Sequence, residues 1–119
     1  MKEIRFLGSS RQEISLFPVT ARSRAGHELY LVQLGEDPSD FKPMPAVGKG
    51  AYEIRIRDQA GAFRVLYVAK FASRVYVLHA FQKKSPSGIR TATHDVDLVA
   101  QRLRAAQRDY EAHHGKATR

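Results

Sequence analysis

The sequence has 119 residues, enough for one domain with one modest core, and 43% of them are hydrophobic. It has no cysteine, which excludes disulfides, thiolate zinc sites and a cysteine nucleophile. No segment approaches the roughly 20 apolar residues of a membrane span, and no signal-peptide pattern opens the chain, so a cytoplasmic location is expected. The net charge of +8 favours a polyanionic partner. Nucleic acid is the first candidate, an acidic protein the second and a membrane surface the third; a basic protein without such a partner is the alternative.

The first segment predicts a strand followed by a short helix. A strand-like run covers Glu3–Leu7. Ser10 and Glu13 have the spacing of a capping box, in which the serine hydroxyl caps the helix and the glutamate reaches back. The short helix is expected to stop before Pro18.

A second helix is predicted over Val19–Leu34, with Gly35 as its left-handed C-terminal residue. The prolines of residues 37–45 then predict a loop with extended segments.

The hydrophobic period changes to two at Ala51 and becomes helical near the C-terminus. It predicts three strands, at Ala51–Asp58, Ala62–Phe71 and Arg74–Gln82. Short connectors, the second a two-residue turn of Ala72 and Ser73, predict antiparallel hairpins. Spacings of three and four predict a C-terminal amphipathic helix through Val96, Val99, Leu103, Ala106 and Tyr110. We therefore expect one α+β domain over residues 1–119, with a small antiparallel sheet, helices packed on one of its faces, and a frayed tail at 113–119.

Alternation along the three meander strands separates a core face from a charged face. The predicted core side carries Ile54, Ile56, Phe63, Val65, Tyr67, Phe71, Tyr76 and Leu78. The opposite side carries Glu53, Arg55, Arg57, Arg64, His79, Phe81 and Lys83. Tight turns place Arg55 opposite Arg64, and Arg64 opposite Phe81. Because like charges directly across strands cost roughly 0.2–1 kcal/mol a pair, this pairing indicates a functional face.

The residue types on the charged face suit RNA. Guanidinium forks match phosphate oxygens, Phe81 can stack an unpaired base, and His79 can transfer protons. Structural alternatives remain open at this point. The face can be merely solvated, His79 can be a hydrogen-bonded structural residue, and Phe81 can pack under the last helix. Glu53 can be a base or an ion-pair partner of Arg55.

Several segments occur in an order that is recognisable as a family pattern. They are Phe6–Ser10, Gly26–Gly35, Lys42–Met44, Val47–Arg55, Phe63–Tyr67 and Val77–Lys84. Together they resemble the RelE/ParE superfamily of type II toxins, most closely its HigB-like, phage-related branch. The resemblance implies a RelE-like microbial RNase fold. It also implies a metal-independent endoribonuclease that cleaves mRNA in the ribosomal A site, by attack of a 2′-hydroxyl on the adjacent phosphate.

The resemblance also implies residue roles. Arg64 matches the arginine that stabilises the pentavalent phosphate, and His79 matches the histidine of a Leu-His-x-Phe segment. The predicted catalytic residues are Arg64, His79, Lys83 and Arg55. The predicted RNA-binding residues are Arg57, Phe81, Lys84, Lys49 and Glu53, and no metal or cofactor is expected. The C-terminal tyrosine of RelE has no clear counterpart, so the identity of the general acid and base stays open.

The partners implied are mRNA on the ribosome and a cognate antitoxin, in this branch commonly a helix-turn-helix protein, with no membrane. Two other functions remain alternatives. One is a ParE-like gyrase inhibitor on the same fold, and the other is a non-catalytic relative that binds nucleic acid or a partner protein.

Overall fold

The computed structural model describes residues 1–83 and 93–114; Lys84 and the predicted tail residues 115–119 lie outside these ranges. Within them the elements are β1 (Glu3–Phe6), α1 (Ser10–Ser15), α2 (Val19–Gln33), β2 (Phe41–Pro43), β3 (Ala51–Asp58), β4 (Gly61–Val68), β5 (Arg74–Lys83) and α3 (Thr93–His114). The α+β class and the order of the predicted elements are confirmed. In the described part of the chain, no helix has the length and apolar character needed to cross a membrane.

The strands form one sheet in the order β1-β5-β4-β3-β2. The predicted antiparallel meander of β3, β4 and β5 lies at its centre. The sheet is mixed, because β1 pairs in parallel with β5 at one edge. At the other edge β2 pairs antiparallel with β3, so the segment assigned to a loop contains a three-residue strand.

Helices cover both faces of this sheet, and the prediction of helices on one face only was wrong. On one face, α2 packs Ala25, Leu29 and Val32 into a core that includes Ile54 and Val65. On the other face, α3 contributes to a second core (Val99, Leu103, Ala106 and Tyr110 packed with Leu66, Val68, Phe71, Tyr76 and Leu78). The continuous apolar run from Val75 to Leu78 follows from this burial, because a strand covered on both sides needs apolar residues at every position.

A β-bulge in β5 explains which residues were placed on the wrong face. Leu66 pairs with His79, but the next residue, Tyr67, pairs with Val77, which leaves Leu78 as an extra residue. The predicted core face was therefore correct within β3 and β4 and wrong for Tyr76 and Leu78, which pack under α3. It was also wrong for Phe71, which lies beyond the end of β4 and packs in the same core as these two residues. The two-residue turn was also wrong. Strand β4 ends at Val68, and residues 69–73 connect it to β5.

The helix ends confirm one predicted signal and correct another. Gly35 has φ +86°, and its N–H binds the Val32 carbonyl while the next N–H binds the Leu31 carbonyl, a Schellman end. The predicted cap was wrong, because Ser9 is the N-cap residue, whereas Ser10 is buried and donates to the Val77 carbonyl at 3.1 Å. Residues 113 and 114, which the sequence places in a frayed tail, lie within α3.

Candidate nucleic-acid site

The register of the meander gathers the predicted site residues on the face that carries α3. Arg55 pairs with Arg64, as the tight turn at residues 58–61 predicts. Arg64 also pairs with Phe81, and Ala62 pairs with Lys83, although the two-residue turn from which the β4–β5 register was predicted is absent. His79 is the diagonal neighbour of Arg64, and such neighbours lie about 7–8 Å apart. Since α3 covers the half of this face near Leu66 and Val68, the basic residues occupy the other half.

Arg64 lies at the centre of this basic half. Its side chain is 11% exposed, and its Nε lies 3.6 Å from Oε1 of the buried Glu53. Its Nη1 donates to the neighbouring Phe63 carbonyl at 3.1 Å. Burial lowers the pKa of the Arg64 guanidinium, with Glu53 opposing and Arg55 and Arg57 reinforcing the effect. The result is a cation held in a fixed position rather than a freely solvated one.

Arg55 lies beside Arg64 with a counter-ion of its own. Its Nε and Nη2 donate to Oδ1 of Asp40 at 3.1 and 2.9 Å. Arg57 is exposed at the end of the strand. These three arginines and Asp40 line a shallow pocket of about 210 Å³. That volume is below the roughly 300–1,000 Å³ of sites that enclose small molecules, and it suits an anion bound between guanidinium groups.

His79 is buried at the junction of α1, β5 and α3. Its Nδ1 lies 2.9 Å from Oε1 of Glu13, and its Nε2 lies 3.6 Å from Oδ1 of Asp95. Its ring stacks on that of Phe81, with centroids 5.3 Å apart. The Glu13 contact orients the imidazole ring, as carboxylate partners do for histidines at reaction centres.

Glu13 holds this junction together. Its Oε1 accepts the Ala80 N–H at 3.0 Å, and its Oε2 accepts the Ser9 hydroxyl at 2.7 Å. Arg102 of α3 lies 3.5 Å from Oε1. Burial alone raises the pKa of Glu13, but the Ser9 and Ala80 hydrogen bonds, with neighbouring His79 and Arg102, bring it below its ordinary value. The carboxylate therefore stays ionised and satisfies an edge N–H of β5.

The other predicted site residues have different surroundings. Phe81 is half-buried and packs against the edge of the core under α3, while Lys83 is half-buried at the end of β5. Lys49 is exposed before β3, at the end away from Arg57. Lys84, predicted to bind RNA, lies outside the described residues.

Three residues of this region were not predicted as site residues: Glu13, Asp40 and Asp95. Glu13 was assigned only a capping role, although it contacts a histidine 66 positions away in the sequence. His79 itself is the signal that points to Glu13 and Asp95, because a buried histidine requires polar partners. No local signal marks Asp40, because β2 is too short to be recognised by its period.

Most of the chain is similar to one known protein family. A family model described as phage-derived protein Gp49-like (DUF891) matches residues 12–104, which is well over half of the chain. No curated protein matches the sequence significantly. The matched segment runs from α1 through most of α3 and so includes the basic half of the sheet. The chain therefore belongs to the Gp49-like family of phage-derived proteins, within the broad RelE- and HigB-like group of toxin–antitoxin toxins.

Proposed function

We propose that the protein is the toxin of a type II toxin–antitoxin pair and acts as a ribosome-dependent mRNA endoribonuclease. The observation that carries this proposal is the direct pairing of Arg55 with Arg64 beside a small open pocket. Two guanidinium forks at one point match the charge and the oxygen geometry of a phosphate in a substitution reaction.

The proposed reaction needs charge stabilisation more than a covalent group from the protein. The 2′-hydroxyl of the RNA attacks the adjacent phosphorus, the 5′-oxygen leaves, and a 2′,3′-cyclic phosphate forms. Negative charge grows on the equatorial oxygens of the pentavalent phosphate, and Arg64 would bind them with the help of Arg55 and Arg57. Because Arg64 is already held by its contacts to Glu53 and Phe63, little reorganisation is needed.

His79 is the proposed proton-transfer group, with Lys83 as the second candidate. The imidazole Nδ1 is engaged by Glu13, so Nε2 is the nitrogen left to exchange a proton with the RNA. Asp95 lies 3.6 Å from this Nε2 and would give way to the substrate. Phe81, stacked on His79, presents an aromatic ring next to the arginines where a base can lie.

The small pocket supports dependence on the ribosome. A cavity of about 210 Å³ can hold a phosphate but cannot enclose the nucleotides on either side. Efficient cleavage requires the attacking oxygen, phosphorus and leaving oxygen to be in line. We propose that the ribosome supplies this alignment by presenting the mRNA in its A site.

Mapping of mRNA 5′ ends in cells that express the chain alone tests the proposal. Matched translated and untranslated versions of one message, the latter without an initiation site, are compared after induction. New ends at regular positions within codons of the translated message alone are the expected result. Cuts in both messages would contradict the ribosome requirement. Growth arrest without cuts but with altered plasmid supercoiling would favour the gyrase-inhibitor alternative.

Arg64→Lys is the informative variant, because it keeps the charge beside the buried Glu53 and removes the planar fork. The control is Arg104→Lys, at an exposed position on α3. The cuts should vanish with the first variant and persist with the second. Undiminished cutting by the Arg64 variant would overturn its assigned role.

A further inference from the structure

Helix α2 is apolar on two opposite sides. Its inner side, with Ala21, Ala25, Leu29 and Val32, is buried in the core. On the outer side, Val19 is 68% exposed, Tyr30 48% and the C-cap Leu34 44%. A helix on a protein surface ordinarily turns polar residues outward, so a second apolar side indicates a second surface to be covered.

These exposed apolar residues lie along one stripe of the helix, together with Ser23 and Gly26. Val19, Ser23, Gly26 and Tyr30 are spaced by four, three and four positions, which places them on the same side, and Leu34 extends it. We call these five residues the α2 outer stripe. Leu16, the C-cap residue of α1, is also 76% exposed.

Gly26 in the middle of the outer stripe has no role in the fold of the chain itself. A Cβ at this position would meet no atom within 4 Å, so neither packing nor a close approach within the molecule requires glycine. Gly26 is in the helical conformation and has no positive φ. Glycine inside a helix is destabilising relative to alanine. A partner helix that packs closely against the stripe would account for it, since a missing side chain lets two backbones approach.

The charges around the stripe indicate what kind of partner it fits. Arg22 is exposed and flanks the stripe, three positions after Val19 and four before Gly26, and the only carboxylate of this helix, Glu28, is buried and binds the Ser39 N–H and hydroxyl. A second copy of the chain would bring another cation against this arginine, and each chain carries a net charge of +8. An acidic partner gains where a second copy is repelled.

We propose that the α2 outer stripe binds an amphipathic helix of a partner protein, whose apolar side packs over Gly26 and whose flanking acidic residues pair with Arg22. In a toxin–antitoxin pair this helix would belong to the antitoxin, and that identification alone rests on the proposed function. The stripe lies on α2, on the sheet face opposite the arginine pocket. A partner bound there leaves the pocket uncovered and neutralises by blocking access to the ribosome.

The test uses the full chain and a stapled helical peptide of about 20 residues, with Leu and Ala on one side and Glu on its flanks. A second peptide carries Lys in place of each Glu. Titrations of the isotope-labelled protein are followed by amide chemical shifts, without RNA or ribosomes. The acidic peptide should shift the amides of the outer stripe and bind at least about tenfold more tightly than the basic one.

Two substitutions localise the effect. Gly26→Trp should weaken binding of the acidic peptide by at least about tenfold, whereas Gln101→Trp, at an exposed site on α3, should leave it unchanged. If thermal unfolding shows that the first variant is not folded, the double variant Tyr30→Glu with Leu34→Glu replaces it, since both positions are exposed.

Equal binding of the two peptides, shifts confined to the arginine face, or tight binding to the stripe variants would each overturn the proposal. Sedimentation of the free chain as a dimer that Gly26→Trp dissociates would also overturn it, in favour of a second copy as the occupant. Because the assay contains no RNA, loss of the nuclease proposal would leave this result unaffected.

Discussion

Arg55 and Arg64 lie directly opposite each other on antiparallel strands, and each has a carboxylate partner on a different strand or loop. Asp40 accepts from Arg55, and Glu53 lies 3.6 Å from Nε of Arg64. These acids offset the repulsion between the two paired guanidinium groups, which otherwise costs roughly 0.2–1 kcal/mol. The pair is therefore compatible with a stable sheet while both forks remain beside the same pocket. A phosphate that enters this pocket competes with Asp40 for Arg55.

That competition predicts a gain of RNA affinity when Asp40 is neutralised. Exposed ion pairs are worth about 0–1 kcal/mol, so Asp40→Asn should strengthen binding of a short single-stranded RNA by up to about fivefold. Fluorescence anisotropy at two salt concentrations measures it, and the gain should shrink at high salt. Asp97→Asn, an exposed neutralisation on α3, is the control for net charge. Equal gains from both variants would show that the Arg55 contact is irrelevant.

The lowered pKa of Glu13 predicts how stability depends on pH. A carboxyl group whose pKa is lower in the folded than in the unfolded state stabilises the fold above its ordinary value of 4.5, and this contribution disappears as the pH falls through the folded pKa. Glu13→Gln should therefore lower stability by about 1–2 kcal/mol at pH 7 and by much less near pH 3. Thermal unfolding of both proteins between pH 3 and 7 checks it.

Glu36→Gln, at an exposed site after α2, supplies the comparison for that experiment. Its unfolding temperatures should follow those of the unmodified chain at every pH. If the unfolding temperatures of the Glu13 variant also followed those of the unmodified chain at every pH, the ionisation of Glu13 would not be coupled to folding.

His79→Asn tests proton transfer while keeping the contact to Glu13. The asparagine amide can donate near the position of Nδ1, but no group replaces Nε2. Loss of a general acid or base typically costs about 10²–10⁴-fold in rate. Single-turnover cleavage of ribosome-bound mRNA measures this loss. His27→Asn, at an exposed site on α2, should leave the rate unchanged. A fully active, folded His79 variant would transfer the role to Lys83.

Substitution by alanine at two glycines of α2 and its C-terminal end is expected to change the stability of the protein in opposite directions. Gly26 lies in open space within α2, so Gly26→Ala should stabilise the protein by about 1 kcal/mol. Gly35 ends the same helix with φ +86°, so Gly35→Ala should destabilise it by about 1–2 kcal/mol. Chemical denaturation gives both values. A destabilised Gly26 variant would indicate that glycine is needed within the monomer after all.

The sequence predicted the arginine register because a short turn leaves little freedom. With Asp58 paired to Gly61, Arg55 must lie opposite Arg64, and alternation then puts both on one face. The same reasoning failed in the first half of β5, where Val75 to Leu78 are all apolar and carry no alternation to reveal a bulge. Consequently Tyr76 and Leu78 were assigned to the wrong face.

The contacts of the carboxylates Glu13 and Asp40 could not be predicted from local sequence patterns, for a related reason. Glu13 contacts His79 only because α1 lies on the edge of β5 beyond the end of β1, a placement set by the tertiary fold. Asp40 contacts Arg55 through the pairing of a strand only three residues long. Helical capping rules and strand periods describe neighbours in sequence, and neither contact is of that kind.

The most direct test of the account is single-turnover cleavage of an mRNA bound in the ribosomal A site, with analysis of the product ends. The unmodified chain should yield a 2′,3′-cyclic phosphate and a 5′-hydroxyl, and Arg64→Lys should be slower by about 10²–10³-fold, the usual cost of losing a transition-state donor. Substrate with a 2′-deoxy nucleotide at the cleavage position should stay intact. Absence of cleavage by the folded, unmodified chain, or equal rates for the Arg64 variant, would contradict the account.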